Sequence, residues 1–125
     1  MKVRNLNDES ALSARMTPTE WRIYQSQDRM GRVLMHYMRA HMQTHYRWMM
    51  RQHRLETILN RASRPLRVKY LKDKRSIQAN NPPMGPDTIS RMQWKGMASA
   101  MAEERLPMRI TEVIHETVFP LMDTP

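Results

Sequence analysis

Cysteine is absent from this 125-residue chain, glycine occurs only three times and phenylalanine once. Without cysteine the chain forms no disulfide and offers no thiolate ligand to a metal. Three isolated glycines, Gly31, Gly85 and Gly96, do not make the glycine-rich loop that wraps a phosphate group in nucleotide-binding enzymes. No apolar run approaches the ~18–20 residues of a membrane span, so we expect no transmembrane segment.

Motifs that carry catalysis are also missing. The sequence has no nucleophile elbow and no pattern that places two carboxylates together. His41 and His45 stand at the four-residue spacing that can bind zinc on a helix. However, Met42 occupies the position of the usual glutamate, and no cysteine or nearby carboxylate completes a tetrahedral site. We therefore predict that the protein is not an enzyme and holds neither a metal nor a cofactor.

Acidic residues are scarce in the middle of the chain. The whole chain has 21 lysines and arginines against 12 aspartates and glutamates, a formal net charge of +9. Residues 22–75 contain fourteen of the basic residues and only three acidic ones, so this segment alone carries +11. Most of these basic residues are arginines, whose planar guanidinium groups bind phosphate through paired hydrogen bonds. The balance favours a polyanionic partner or an interface with acidic proteins.

A helix start is marked at Thr17. Thr17 and Glu20 have the spacing of a capping box, and Pro18 suits the first helical position. The next proline is Pro65, so the pattern predicts one long helix over residues 17–62, about 68 Å at ~1.5 Å per residue. Gly31 and Asn60 mark the places where this helix could break.

The predicted long helix has two opposed faces. At ~100° per residue its arginines fall within an arc of roughly 120°, and its large apolar residues fall on the other side. Because the rest of the chain is too short to cover such a stripe, we expect an extended molecule whose apolar face packs against other proteins. The predicted protein-interface residues are Met38, Met42, Trp48, Met49, Trp94 and Met97.

The remaining segments are predicted from composition and periodicity. Residues 1–16 are predicted to form an N-terminal arm. Residues 63–86 are predicted to form a basic extended segment followed by a proline-rich linker. Residues 87–125 read as a C-terminal segment of two short helices, the first ended by Pro107 and the second running from about Thr111 to Phe119. The fold class is therefore predicted to be all-α and extended.

The function predicted from these features is structural. A high content of arginine, extended arms and a small hydrophobic core are typical of a protein built into a large ribonucleoprotein. We therefore expect a mitochondrial ribosomal protein that contacts rRNA and neighbouring proteins. Contacts of this kind go to phosphates and carry no base specificity. The predicted RNA-binding residues are Arg39, Arg47, Arg51, Arg54, Arg61, Arg64, Arg67, Lys69, Tyr70, Lys72, Lys74 and Arg75.

Two other functions fit the same pattern. An accessory subunit of a respiratory-chain or ATP synthase complex could present the arginines to acidic subunits or anionic lipid headgroups. A free-standing helical nucleic-acid-binding protein is a third possibility, although no helix-turn-helix pattern is evident. The acidic Asp8 and Glu9 make the N-terminus a poor presequence, so mitochondrial import would leave it uncleaved.

Overall fold

A computed structural model describes residues 15–123 of the chain; most of the predicted N-terminal arm, residues 1–14, lies outside this range. The described residues form helices and no strand, which confirms the all-α prediction. A π-helical turn, Ile114–Val118, joins the last two helices. The helices are α1 Pro18–Ser26, α2 Arg29–His41, α3 Gln43–Arg51, α4 Leu55–Asn80, α5 Thr88–Val113 and α6 Phe119–Asp123.

The predicted helix start is observed. The Glu20 backbone N–H donates to the Thr17 hydroxyl at 3.2 Å, and the Thr17 N–H donates to the Glu20 carboxylate at 3.0 Å. Together these two bonds satisfy donors that the first turn would otherwise leave unpaired.

The prediction of one helix over residues 17–62 is wrong, because the segment is divided into α1, α2, α3 and the start of α4. Asp28 caps a new helix by accepting from the Gly31 N–H at 2.9 Å, which competes with continuing α1. A second break falls at Met42, and a third at residues 52–54, where His53 has a φ of 56°. The four helices separated by these breaks contribute side chains to one core.

The prediction of an extended basic segment over residues 63–86 is also wrong for residues 63–80, which are helical. Helix α4 continues through Pro65, which removes one backbone hydrogen bond. Burial of Ala62 and Leu66 on either side of the proline offsets this loss. Only residues 81–87 form a non-helical linker, as their composition predicts.

The C-terminal segment is one long helix followed by a short one. Pro107 lies inside α5, contrary to the prediction that it ends the helix, and the Thr111 hydroxyl donates to the Pro107 carbonyl at 3.1 Å. Leu106 and Ile110 are buried on either side of this site, so packing sustains the helix through the proline. The predicted second short helix over residues 111–119 is divided between α5, the π-helical turn and the first residue of α6.

The chain has a core of its own. Helix α5 packs along α4, and α2 packs on α4 as well. The expectation that the apolar stripe needs other proteins to cover it is therefore wrong: Met38 and Met49, predicted as interface residues, are fully buried within the chain. The large side chains of this core with less than two per cent of their surface exposed are Leu34, Met35, Met38, Met49, Leu55, Leu59, Leu66, Val113 and Val118.

Candidate nucleic-acid interface

Several of the predicted RNA-binding residues are engaged within the fold. Arg39 donates from Nε to the Glu20 carboxylate at 2.9 Å, and Arg67 forms an ion pair with Asp28. Arg54 donates to a backbone carbonyl of the C-terminal helix at 3.4 Å. Glu20 lies on α1 and Asp28 caps α2, so both carboxylates are distant in sequence from the arginines they bind, and the scarcity of acidic residues between positions 22 and 75 gives no sign of these pairs.

Lys69 is neutralised in the same way. Its ammonium group lies 2.9 Å from the Glu112 carboxylate and 3.4 Å from that of Glu116. These two carboxylates, the nearer one above all, raise the pKa of Lys69 above its ordinary value. Lys69 therefore belongs to the α4–α5 contact and is a weak candidate for binding RNA.

Tyr70, the predicted base-stacking residue, is half-buried. Its ring packs against the core, its hydroxyl donates to Glu103 at 3.4 Å, and the Arg29 guanidinium lies 5.6 Å from the ring centroid. Stacking on a base would require these contacts to break.

Lys74, another predicted RNA-binding residue, is also half-buried.

Four of the predicted residues share the outer face of α4, and together they are here called the α4 basic face: Arg61, Arg64, Lys72 and Arg75. At ~100° per residue they fall within an arc of about 80°, centred on Val68. All four side chains are exposed, and none forms an ion pair within the part of the chain that the structure describes. At ~1.5 Å per residue the face extends over about 21 Å.

The α4 basic face includes two exposed apolar residues. Val68 is 58% exposed and Leu71 is 40% exposed, and both lie between the two pairs of cations. The opposite side of α4 is buried against α2 and α5, which fixes the direction in which the cations point.

Arg47 and Arg51 form a second exposed pair, one turn apart on α3. They line an open cleft of about 520 Å³ together with Arg39, Tyr46 and Glu20. Neither has an ion pair among residues 15–123.

The remaining predicted interface residues differ in exposure. Met42 and Trp48 are half-buried against the core, and the Trp94 indole N–H donates to the Gln78 carbonyl at 3.2 Å. Met97 is 38% exposed.

Sequence reasoning missed one exposed apolar pair on α5. Ile89 and Met92 are 68% and 67% exposed, although helical spacing places both on one apolar face of this segment. The face of α5 that packs in the structure instead contains Ala98, Ala102 and Leu106, which are spaced four residues apart. This spacing is visible in the sequence, but two of the three side chains are small and do not stand out as core residues.

No metal centre or membrane-spanning helix is found in the described range. Residues 15–123 contain no group of three histidine, aspartate or glutamate side chains placed to hold a metal ion. None of the helices in this range is both long and apolar enough to cross a bilayer.

Comparison with known proteins identifies no relative: no family model, curated protein or solved structure matches this chain.

Proposed function

We propose that this protein is a non-catalytic RNA-binding component of a large ribonucleoprotein, and that it contacts RNA phosphates through the α4 basic face. The observation that supports this proposal is the arrangement of Arg61, Arg64, Lys72 and Arg75 as four exposed cations without ion pairs in the described structure, on one face of a helix. Like charges held on one face repel each other, and phosphate groups relieve this repulsion.

Phosphates suit this face better than base edges do. Three of its four cations are arginines, which bind phosphate oxygens through two parallel hydrogen bonds. In double-stranded RNA the major groove is too deep and narrow for side chains to reach the base edges, so an arginine on the surface of a helix contacts the backbone. Binding should therefore depend strongly on salt and weakly on sequence.

A membrane surface is the weaker alternative. Basic helices that lie on anionic lipid insert a broad apolar face beside their cations. In α4 that apolar face is buried inside the protein, and only Val68 and Leu71 are available for insertion. The area is small, so we favour RNA over the lipid headgroups of a respiratory complex.

The α4 basic face supports this proposal, whereas a shortage of core does not, because the described residues bury a core of their own. A chain with its own core can fold before it joins an assembly, so the protein should be purified as a folded species. The mitochondrial ribosome, expected from composition, stays a prediction.

A matched pair of double variants tests RNA binding. R64Q/R75Q removes two charges from the α4 basic face, and R91Q/K95Q removes two exposed charges from α5, so both have the same net charge. Fluorescence anisotropy with a structured RNA should show at least about tenfold weaker binding for R64Q/R75Q and little change for R91Q/K95Q. Equal losses would mean that net charge alone drives binding and would refute the proposed face.

Membership of an assembly is tested in cells. The tagged full-length chain should co-sediment with large particles in a sucrose gradient, and ribonuclease treatment of the lysate should release it. A chain that sediments as a free small protein in untreated lysate would contradict the ribonucleoprotein part of the proposal. Co-sedimentation that survives ribonuclease but is lost in detergent would favour the membrane alternative.

A further inference from the structure

A second basic site, separate from the α4 basic face, lies between the start of α1 and one side of α3. It is the open cleft of about 520 Å³, which we call the arginine cleft. Its volume falls within the range of ~300–1,000 Å³ that is usual for small-molecule sites. The residues that line the cleft are Thr17, Glu20, Arg39, Gln43, Tyr46, Arg47, Met50 and Arg51.

Among the described residues that line the cleft, Glu20 is the one carboxylate, and its hydrogen bonds are already satisfied by the protein. It accepts from the Thr17 N–H at 3.0 Å, from Arg39 Nε at 2.9 Å and from the Tyr46 hydroxyl at 2.5 Å. Burial works against the charged form, but these donors outweigh it and lower the pKa of Glu20. The carboxylate is therefore ionised at neutral pH, and its charge is balanced by Arg39.

Arg39 is held in place by these contacts. Besides its bond to Glu20, its Nη2 donates to the Arg15 carbonyl at 2.9 Å. A guanidinium fixed at two points loses little conformational freedom when a ligand arrives, which favours binding.

Arg47 and Arg51 supply the uncompensated charge. They lie one turn apart, with Gln43 one turn before Arg47, so three polar side chains follow one line along α3. Both arginines are exposed and have no ion pair in the described range. With Arg39 balanced by Glu20, the described residues that line the cleft carry a net charge of about +2 at neutral pH.

We propose that the arginine cleft binds a phosphate group carried on an organic moiety. A phosphate presents more acceptor oxygens than a carboxylate, and several guanidinium groups can bind it at once. Met50 and the ring of Tyr46 form the apolar part of the lining, where the moiety attached to the phosphate can pack. The phosphate could come from a free mononucleotide or from the 5′ end of an RNA strand. This inference does not depend on the α4 basic face, because the two sites share no residue.

The test titrates the full chain with inorganic phosphate, with AMP, and with a short oligoribonucleotide with and without its 5′ phosphate, followed by amide NMR shifts. We expect saturable shifts of Gln43, Arg47 and Arg51 with AMP, and at least about tenfold weaker binding in R47Q/R51Q. R91Q/K95Q and R64Q/R75Q should bind AMP like the parent chain. Because Arg47 and Arg51 are exposed, the variant should keep its fold, which circular dichroism checks.

The outcomes separate the sources of the phosphate. Equal affinity for AMP and the phosphorylated oligonucleotide identifies a free mononucleotide as the ligand. Much tighter binding of the phosphorylated oligonucleotide, lost when its 5′ phosphate is removed, identifies an RNA end. Linear, non-saturating shifts with AMP and with the phosphorylated oligonucleotide, or equal losses in R47Q/R51Q and R91Q/K95Q, would overturn the cleft as a binding site and leave the α4 basic face untouched.

Discussion

Arg109 on α5 donates two hydrogen bonds to Asp73 on α4, from Nε to Oδ2 and from Nη2 to Oδ1, each 2.8 Å long. The Asp73 side chain is 7% exposed, so this pair joins the two longest helices where water has little access. Arg105 lies 3.7 Å from the same carboxylate and is more exposed. The pair therefore adds a buried polar contact to the apolar packing that holds α5 along α4 and leaves the α4 basic face outside.

Arg109→Ala should destabilise the protein by about 2–4 kcal/mol, because it leaves the buried Asp73 carboxylate without its main partner. Arg105→Ala is the matched control: it removes the same charge from an exposed position and should cost less than about 1 kcal/mol. Urea unfolding measures both values. If the two variants lose the same stability, the two-point pair does not hold the helices together.

Stability should fall in acid through Asp73. The hydrogen bonds from Arg109, more than any other contact, hold the pKa of Asp73 below its ordinary value. A lowered carboxyl pKa contributes stability that is complete above the ordinary value near pH ~4 and is lost as pH falls through the folded-state value. Asp73→Asn should therefore start less stable and lose less on acidification from pH 6 to 3. Parallel melting curves against pH for parent and variant would refute this assignment.

His36 should add a second pH dependence near neutrality. Burial, helped by the charge of Arg39, lowers the pKa of His36, and its Nε2 atom is buried without a hydrogen-bond partner in the described structure. The neutral ring is thus preferred in the fold, and its contribution is complete above pH ~6.5 and lost as pH falls below that value. His36→Phe keeps an aromatic ring against Tyr24 and should reduce the loss of melting temperature between pH 7.5 and 5.5. An unchanged loss would show that His36 is not the titrating group.

Substitutions in the core distinguish this structure from an extended helix that has no core of its own. Met49 is fully buried, and Met49→Ala should cost about 2–5 kcal/mol, whereas Met92→Ala, at a position 67% exposed, should cost less than about 0.5 kcal/mol. An extended helix that relies on partners would expose both residues and lose little from either change. Thermal unfolding of the purified variants distinguishes the two cases.

The sequence predicts the local features of this fold and misses those that depend on contacts between distant residues. The cap at Thr17 is visible locally because it depends on a residue three positions away, and so is the cap at Asp87, whose carboxylate accepts from the Ser90 N–H at 2.6 Å. The break after α1 carries a local signal at Asp28, but the helix periodicity on both sides of it hides the signal. Local rules predict that Pro65 and Pro107 each end a helix. In the structure both prolines lie inside helices, because packing between α4 and α5 overrides those rules.

The candidate interface shows the same division. The high density of arginine between residues 22 and 75 is a sequence property, and the α4 basic face lies within this region. Which cations are free could not be predicted, because their partners lie far away in the chain: Asp28 for Arg67 and Glu112 for Lys69. A single-helix projection cannot show such pairs.

The salt dependence of RNA binding tests the central claim most directly. Four cations on phosphates of a single strand predict a slope of log affinity against log salt of roughly −3, because each contact contributes about −0.7. R64Q/R75Q should make the slope less steep by about 1.4, and R91Q/K95Q should leave it unchanged. A parent slope near zero, or the same change in both variants, would contradict the assignment of phosphate binding to the α4 basic face.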